Sequence, residues 1–80
     1  MKSKGDTMVE KIQSKLPHVN VFWDPPPDDL FQHKPCKLFA VNRNNPKKNG
    51  SIYYRNGISS QPVDTLVKDF VEHIGPDVTD

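Results

Sequence analysis

The feature that most constrains this chain is the apolar stripe near its C-terminus. Val63, Leu66, Val67, Phe70, Val71 and Ile74 follow the i, i+3, i+4, i+7, i+8 spacing of one face of an α-helix. Pro62 is suited to open such a helix and Gly75-Pro76 to close it. A stripe this regular must be buried against something, and the sequence has only 80 residues to supply the partner. A chain of that length buries only about 60% of its unfolded surface, so it holds one domain with a thin core.

The partner reads as a small sheet. His18 to Trp23 is rich in β-branched and aromatic residues and puts Val19, Val21 and Trp23 on one side. Cys36 to Val41 alternates Cys36, Leu38 and Ala40 against Lys37, Phe39 and Val41. Ser51 to Arg55 sets Ile52 and Tyr54 against Tyr53 and Arg55. Between the last two strands, residues 42–50 combine Asn, Pro and Asn49-Gly50, the composition of a long hairpin connection with basic residues at its tip. Upstream, Met8, Val9, Ile12 and Leu16 recur at helical spacing, with Asp6 or Thr7 as the expected N-cap and Pro17 as the stop. The expectation is an α+β fold in the order αβββα: an N-terminal helix, a three-stranded antiparallel sheet and a C-terminal amphipathic helix. Residues 1–7 read as a disordered N-terminus, 8–75 as a single domain or half-domain, and 76–80 as a frayed tail. The stretch from Asp24 to Pro35, dense in proline, reads as an irregular loop with Leu30 and Phe31 as apolar anchors.

Composition narrows the functional classes. A single cysteine, Cys36, cannot form an internal disulfide, and a domain this small without disulfide staples points to a reducing compartment, cytoplasmic or nuclear. No apolar run is long enough for a membrane span, so no membrane partner is expected. The net charge is only +1, yet between Lys34 and Arg55 lie six basic residues and no acid.

That basic middle carries the first candidate site. Arg43, Lys47, Lys48 and Arg55 can neutralise phosphates and Tyr53 can stack on a base, a combination that suits RNA more than DNA. The same residues also fit a solvated hairpin whose lysines blunt a sheet edge. Trp23, Leu30, Phe31 and Phe39 form a second candidate, an apolar patch for a protein partner on whichever sheet face the helices leave bare. No metal or other cofactor is expected: His33-x-x-Cys36 with His18 or His73 lacks the paired spacings of a zinc site, and Asp24, Asp28 and Asp29 are ordinary turn residues beside proline. No nucleophile, base and orienting group can be named together, so an enzyme is not expected.

The run Ile52-Tyr53-Tyr54-Arg55-Asn56-Gly57-Ile58-Ser59-Ser60-Gln61-Pro62, preceded by Leu38-Phe39-Ala40-Val41-Asn42-Arg43, resembles the closing part of the Schlafen-type AlbA-like domain. There, a strand ending in aromatic-Arg runs into Gly-x-Ser-Ser and a final helix. The resemblance implies a nucleic-acid-associated fold. It also implies that the acidic residues and lysine of the nucleases in that family, which lie in their front half, have no counterpart here. The expectation is therefore a binding module or the back half of a larger one, a fragment or a truncated subunit completed by another chain, with protein docking through the bare sheet face and proline loop as the alternative.

Overall fold

The computed structural model describes residues 3–27 and 33–79. Helix α1 (Lys4–Lys15) leads into β1 (Val19–Trp23), β2 (Cys36–Asn42) and β3 (Asn49–Tyr54), and the chain ends in α2 (Val63–Val78). The strands form one antiparallel sheet in the order β1-β2-β3. Phe22 lies opposite Phe39, and Leu38 lies between Trp23 and Ile52. The expected αβββα architecture is thus the observed one.

Both helices lie on the same side of the sheet. Met8, Ile12 and Leu16 of the first segment and Leu66, Val67, Phe70, Ile74 and Val78 of α2 share one core with Val19, Val21, Cys36, Leu38 and Ala40. Every second strand residue enters that core, as the pleat requires. Full burial of a side chain such as Phe70 contributes roughly 1.5–3 kcal/mol. Among the described residues there are just two helices, and stacking both on one face leaves nothing helical there for the other. Ile58, buried in the β3–α2 connection, fills the remaining gap. Ahead of it, Gly57 takes a φ of 75° and donates its N–H to the Tyr54 carbonyl, a turn that favours glycine.

Several boundaries differ from the sequence reading, each for a local reason. α1 starts at Lys4, inside the leader expected to be disordered, because Ser3 caps it and accepts a 3.0 Å bond from the Asp6 amide. Asp6 is then a first-turn acid and not the cap. Asn49-Gly50 belongs to β3 and not to the turn, and Gly50 is there for space: a Cβ would sit 3.1 Å from Ile74 Cγ2. α2 begins at Val63, after Pro62, without a side-chain cap. It also runs through Pro76 to Val78, where a frayed tail was expected. Proline in the last turn forfeits one ladder bond, while fully buried Val78 and the Thr79 amide bond to the Gly75 carbonyl hold the turn closed.

Asn42 ties these ends together. It is the one buried polar side chain among the described residues, donating from Nδ2 to the Val78 carbonyl at 2.7 Å. Its Oδ1 accepts from the amides of Asn44 and Asn45 at 2.8 and 3.1 Å. One side chain therefore fixes the β2–β3 connection and the end of α2. Replacing Asn42 by Ala leaves those buried groups unpaired and is expected to cost about 2–4 kcal/mol, read from the urea midpoint at unchanged m. A loss below about 1 kcal/mol contradicts this role.

Candidate nucleic-acid interface

The face opposite the helices is built from the alternate strand positions: Asn20 and Phe22 on β1, Lys37, Phe39 and Val41 on β2, and Asn49, Ser51 and Tyr53 on β3. No acidic residue occurs in any of the three strands. Phe22 and Phe39, directly opposite one another, stack with ring centroids 5.4 Å apart and planes 11° from parallel. Lys37 places its ammonium 5.0 Å from the Phe39 centroid. Tyr53, cross-strand neighbour of Lys37, is 58% exposed, and Phe22 is 45% exposed. Two large rings on this face, those of Phe22 and Tyr53, thus stay in contact with water.

Arg43, one residue beyond β2, is oriented by a 2.7 Å bond from Nε to Asn20 Oδ1. Its remaining guanidinium donors sit at the rim of the aromatic face. Arg55 lies just past β3, exposed, in the turn before Gly57.

The basic cluster expected at the hairpin is divided. Arg43, Lys47 and Lys48 lie in or beside the β2–β3 connection, while Tyr53 and Arg55 lie at the other end of β3. At strand rise, Lys48 and Tyr53 are about 16 Å apart along the chain. Lys48 also extends toward the C-terminus of α2, bonding the Thr79 carbonyl at 3.3 Å. The five residues do not make one phosphate site at the hairpin tip. Of the apolar set, Phe39 belongs to the bare face, whereas Trp23 turns to the helix side, donates from Nε1 to the Gly5 carbonyl at 3.1 Å and tilts against Tyr54. Leu30 and Phe31, like Asp28 and Asp29, lie outside the described residues.

Phe22 and Lys37 are functional candidates that the site reading of the sequence omitted. The signal was present in the alternation, since Phe22 falls between the core residues Val21 and Trp23. What alternation does not give is the partner across the sheet. The 12 positions from Asp24 to Pro35 separate the two strands, so the Phe22–Phe39 register is visible only in three dimensions.

Other chemistry is limited. Cys36 is fully buried, and burial pushes its thiol up, away from the thiolate that a nucleophile needs. Among the described residues no group of His, Cys, Asp and Glu side chains comes together as metal ligands, and no helix is long and apolar enough to cross a membrane. On the opposite surface, Lys11 of α1 meets Asp64 of α2 at 2.7 Å and its hydrogen bond holds the Asp64 carboxyl below the usual range. That pair is open to solvent and contributes little to stability. Comparison with protein-family models, with curated proteins and with solved structures finds no match. The resemblance to Schlafen-type AlbA-like domains therefore rests on the residues around Tyr54-Arg55 and Ser59-Ser60 that carry it.

One hydroxyl stands out within the core. Tyr54 Oη is buried without a hydrogen-bond partner among the described residues. Burial first, then the charges of Cys36 and Asp69, push its phenol up to about 12. A folded-state value above the unfolded one means that the native state holds this proton more tightly. The associated stability is complete below about pH 10 and is lost as pH rises toward 12. In a Tyr53→Phe variant Tyr54 is the sole tyrosine. Its tyrosinate absorbance is expected to appear with a midpoint near 12, and a midpoint near the ordinary value of about 10 contradicts the burial. Tyr54→Phe, which deletes a polar atom with no partner, is expected to leave the urea midpoint unchanged or raise it.

Proposed function

We propose that this chain is a binding module, not an enzyme, and that its bare sheet face binds single-stranded nucleic acid, RNA in preference to DNA. The observation that carries the reading is the stacked Phe22–Phe39 pair with Lys37 over one ring and exposed Tyr53 beside it, on a sheet whose strands contain no acid. Every base has a π-face, so exposed rings accept successive bases with little sequence preference. Lys37, Arg43 and Arg55 supply cations along that face for the phosphates running between the stacked bases. Asn20 Nδ2, Asn49 Oδ1 and the Ser51 hydroxyl offer donors and acceptors at the same level, suited to a ribose 2′-hydroxyl, while Asn20 Oδ1 and Asn49 Nδ2 are held by Arg43 and the hairpin backbone. A duplex fits this reading poorly, because its bases are already stacked on one another. A module of this kind acts in the cytoplasm or nucleus, where Cys36 stays reduced.

Fluorescence anisotropy with a labelled single-stranded RNA of about ten nucleotides tests the proposal. With three phosphate contacts, log K is expected to fall against log salt with a slope of about −2. Phe22→Ala, at an exposed position, is expected to weaken binding by roughly 1–3 kcal/mol while leaving the fold intact. Replacing both Lys47 and Lys48 by Ala is expected to matter less. No binding at low salt, or full affinity in Phe22→Ala, contradicts the reading.

A further inference from the structure

The two edges of the sheet are not equivalent. In β1–β2 the Asp24 amide bonds the Lys37 carbonyl and the Arg43 amide bonds the His18 carbonyl. Even-numbered residues of β1 therefore face β2, and Val19, Val21 and Trp23 turn their backbone groups outward. The outer groups of Val19 are taken: its amide bonds the Leu16 carbonyl and its carbonyl accepts from the Gln13 side chain. Asp6 and Glu10 of α1 stand beside the rest of that edge.

At the opposite edge, the Asn42 amide bonds the Lys48 carbonyl, so the even-numbered residues of β3 face β2. Asn49, Ser51 and Tyr53 thus turn their N–H and C=O groups to the free edge, where no backbone bond from another described element meets them. Natural sheets blunt such an edge with charge, proline or a bulge. β3 reads Asn-Gly-Ser-Ile-Tyr-Tyr and has none of these. Alongside it runs a groove of about 440 Å³ between β3 and α2, lined by Ile52, Tyr54, Leu66, Asp69 and His73. Side chains of an added strand on the helix side would enter that groove. Lys47 and Lys48 precede β3 and Arg55 follows it, so basic residues flank the strand at both ends, with Asp77 of α2 near Gly50 at the first of them.

We propose that the outer edge of β3 accepts, as a fourth strand, an extended polypeptide segment with acidic ends and apolar residues at the alternate positions facing α2. Main-chain bonds to Asn49, Ser51 and Tyr53 supply the pairing, and the groove reads the alternate side chains. The basic ends disfavour a second copy in this place. In a two-fold pair centred on Ser51, Lys47 of one copy falls beside Arg55 of the other, a like-charge contact at each end. The inference does not rest on the nucleic-acid reading: it uses the backbone of the β3 edge, not the side chains of the face, and shares with that reading only the charge of Arg55.

The test uses a synthetic peptide of about nine residues, alternating valine and threonine with glutamates at both ends, titrated into the isotopically labelled full chain. Binding is expected to shift and slow the exchange of the Asn49, Ser51 and Tyr53 amides. The same peptide with lysine ends is expected to bind at least about tenfold more weakly at low salt. Of two versions N-methylated on alternate amides, only the one that blocks the paired side is expected to lose binding. The proposal is overturned if those three amides do not respond, if both N-methylated versions behave alike, or if the lysine-ended peptide binds equally well. It is also overturned in favour of a second copy if sedimentation shows a concentration-dependent dimer with the same amides protected.

Discussion

The arrangement depends on one constraint: both amphipathic helices are spent on a single face of the sheet. The stripe of α2 and the shorter stripe of α1 meet over Leu38 and Ala40, and Asn42 locks the far end of α2 to the β2–β3 connection. Lys4, which bonds the Gln61 carbonyl, does the same between the start of α1 and the entry to α2. Once these contacts form, the reverse face has, among the described residues, only its own side chains. That face is kept in order by the sheet and not by burial, so its rings are held in register while staying in water.

Chemical consequences follow from which residues share that face. Phe22 and Phe39 brace one another, so under the proposed reading a base stacking on either would meet a surface already positioned, with less side-chain entropy left to lose. Lys37 rests over Phe39, and on the proposed reading it is the group that would turn from ring to phosphate. Arg43 is held by Asn20 and would supply a second cation. The edges differ in a similar way: the outer groups of Val19 on β1 are taken by Leu16 and Gln13, whereas the outer backbone groups of uncharged β3 meet no backbone bond from another described element.

Much of the fold was legible in the sequence, because period 2 and period 3.6 were both clean. The α2 stripe and the inward set of Cys36, Leu38 and Ala40 are where the pattern put them. The boundaries that moved are those where a tertiary contact outweighed a local rule. Pro76 stays helical because Val78 is buried, and Gly50 sits in a strand because Ile74 needs the room. Ser3 was masked by the more conspicuous Asp6 and Thr7. The candidate site was less legible. Charge count drew attention to Lys47 and Lys48 at the hairpin tip, but a hairpin's sequence does not say toward which side its lysines turn. Phe22 and Lys37 needed the register across a long loop before they could be read together.

The most direct test of the bare face is the aromatic and amide spectrum of the full chain during titration with short single-stranded RNA. If the rings receive the bases, the resonances of Phe22, Phe39 and Tyr53 move together with the amides of Lys37 and Arg43, while those of Met8, Ile12 and Phe70 beneath the opposite side stay still. Shifts confined to the helices, or to the connection around Lys47 and Lys48 with the rings unmoved, contradict the assignment of that face.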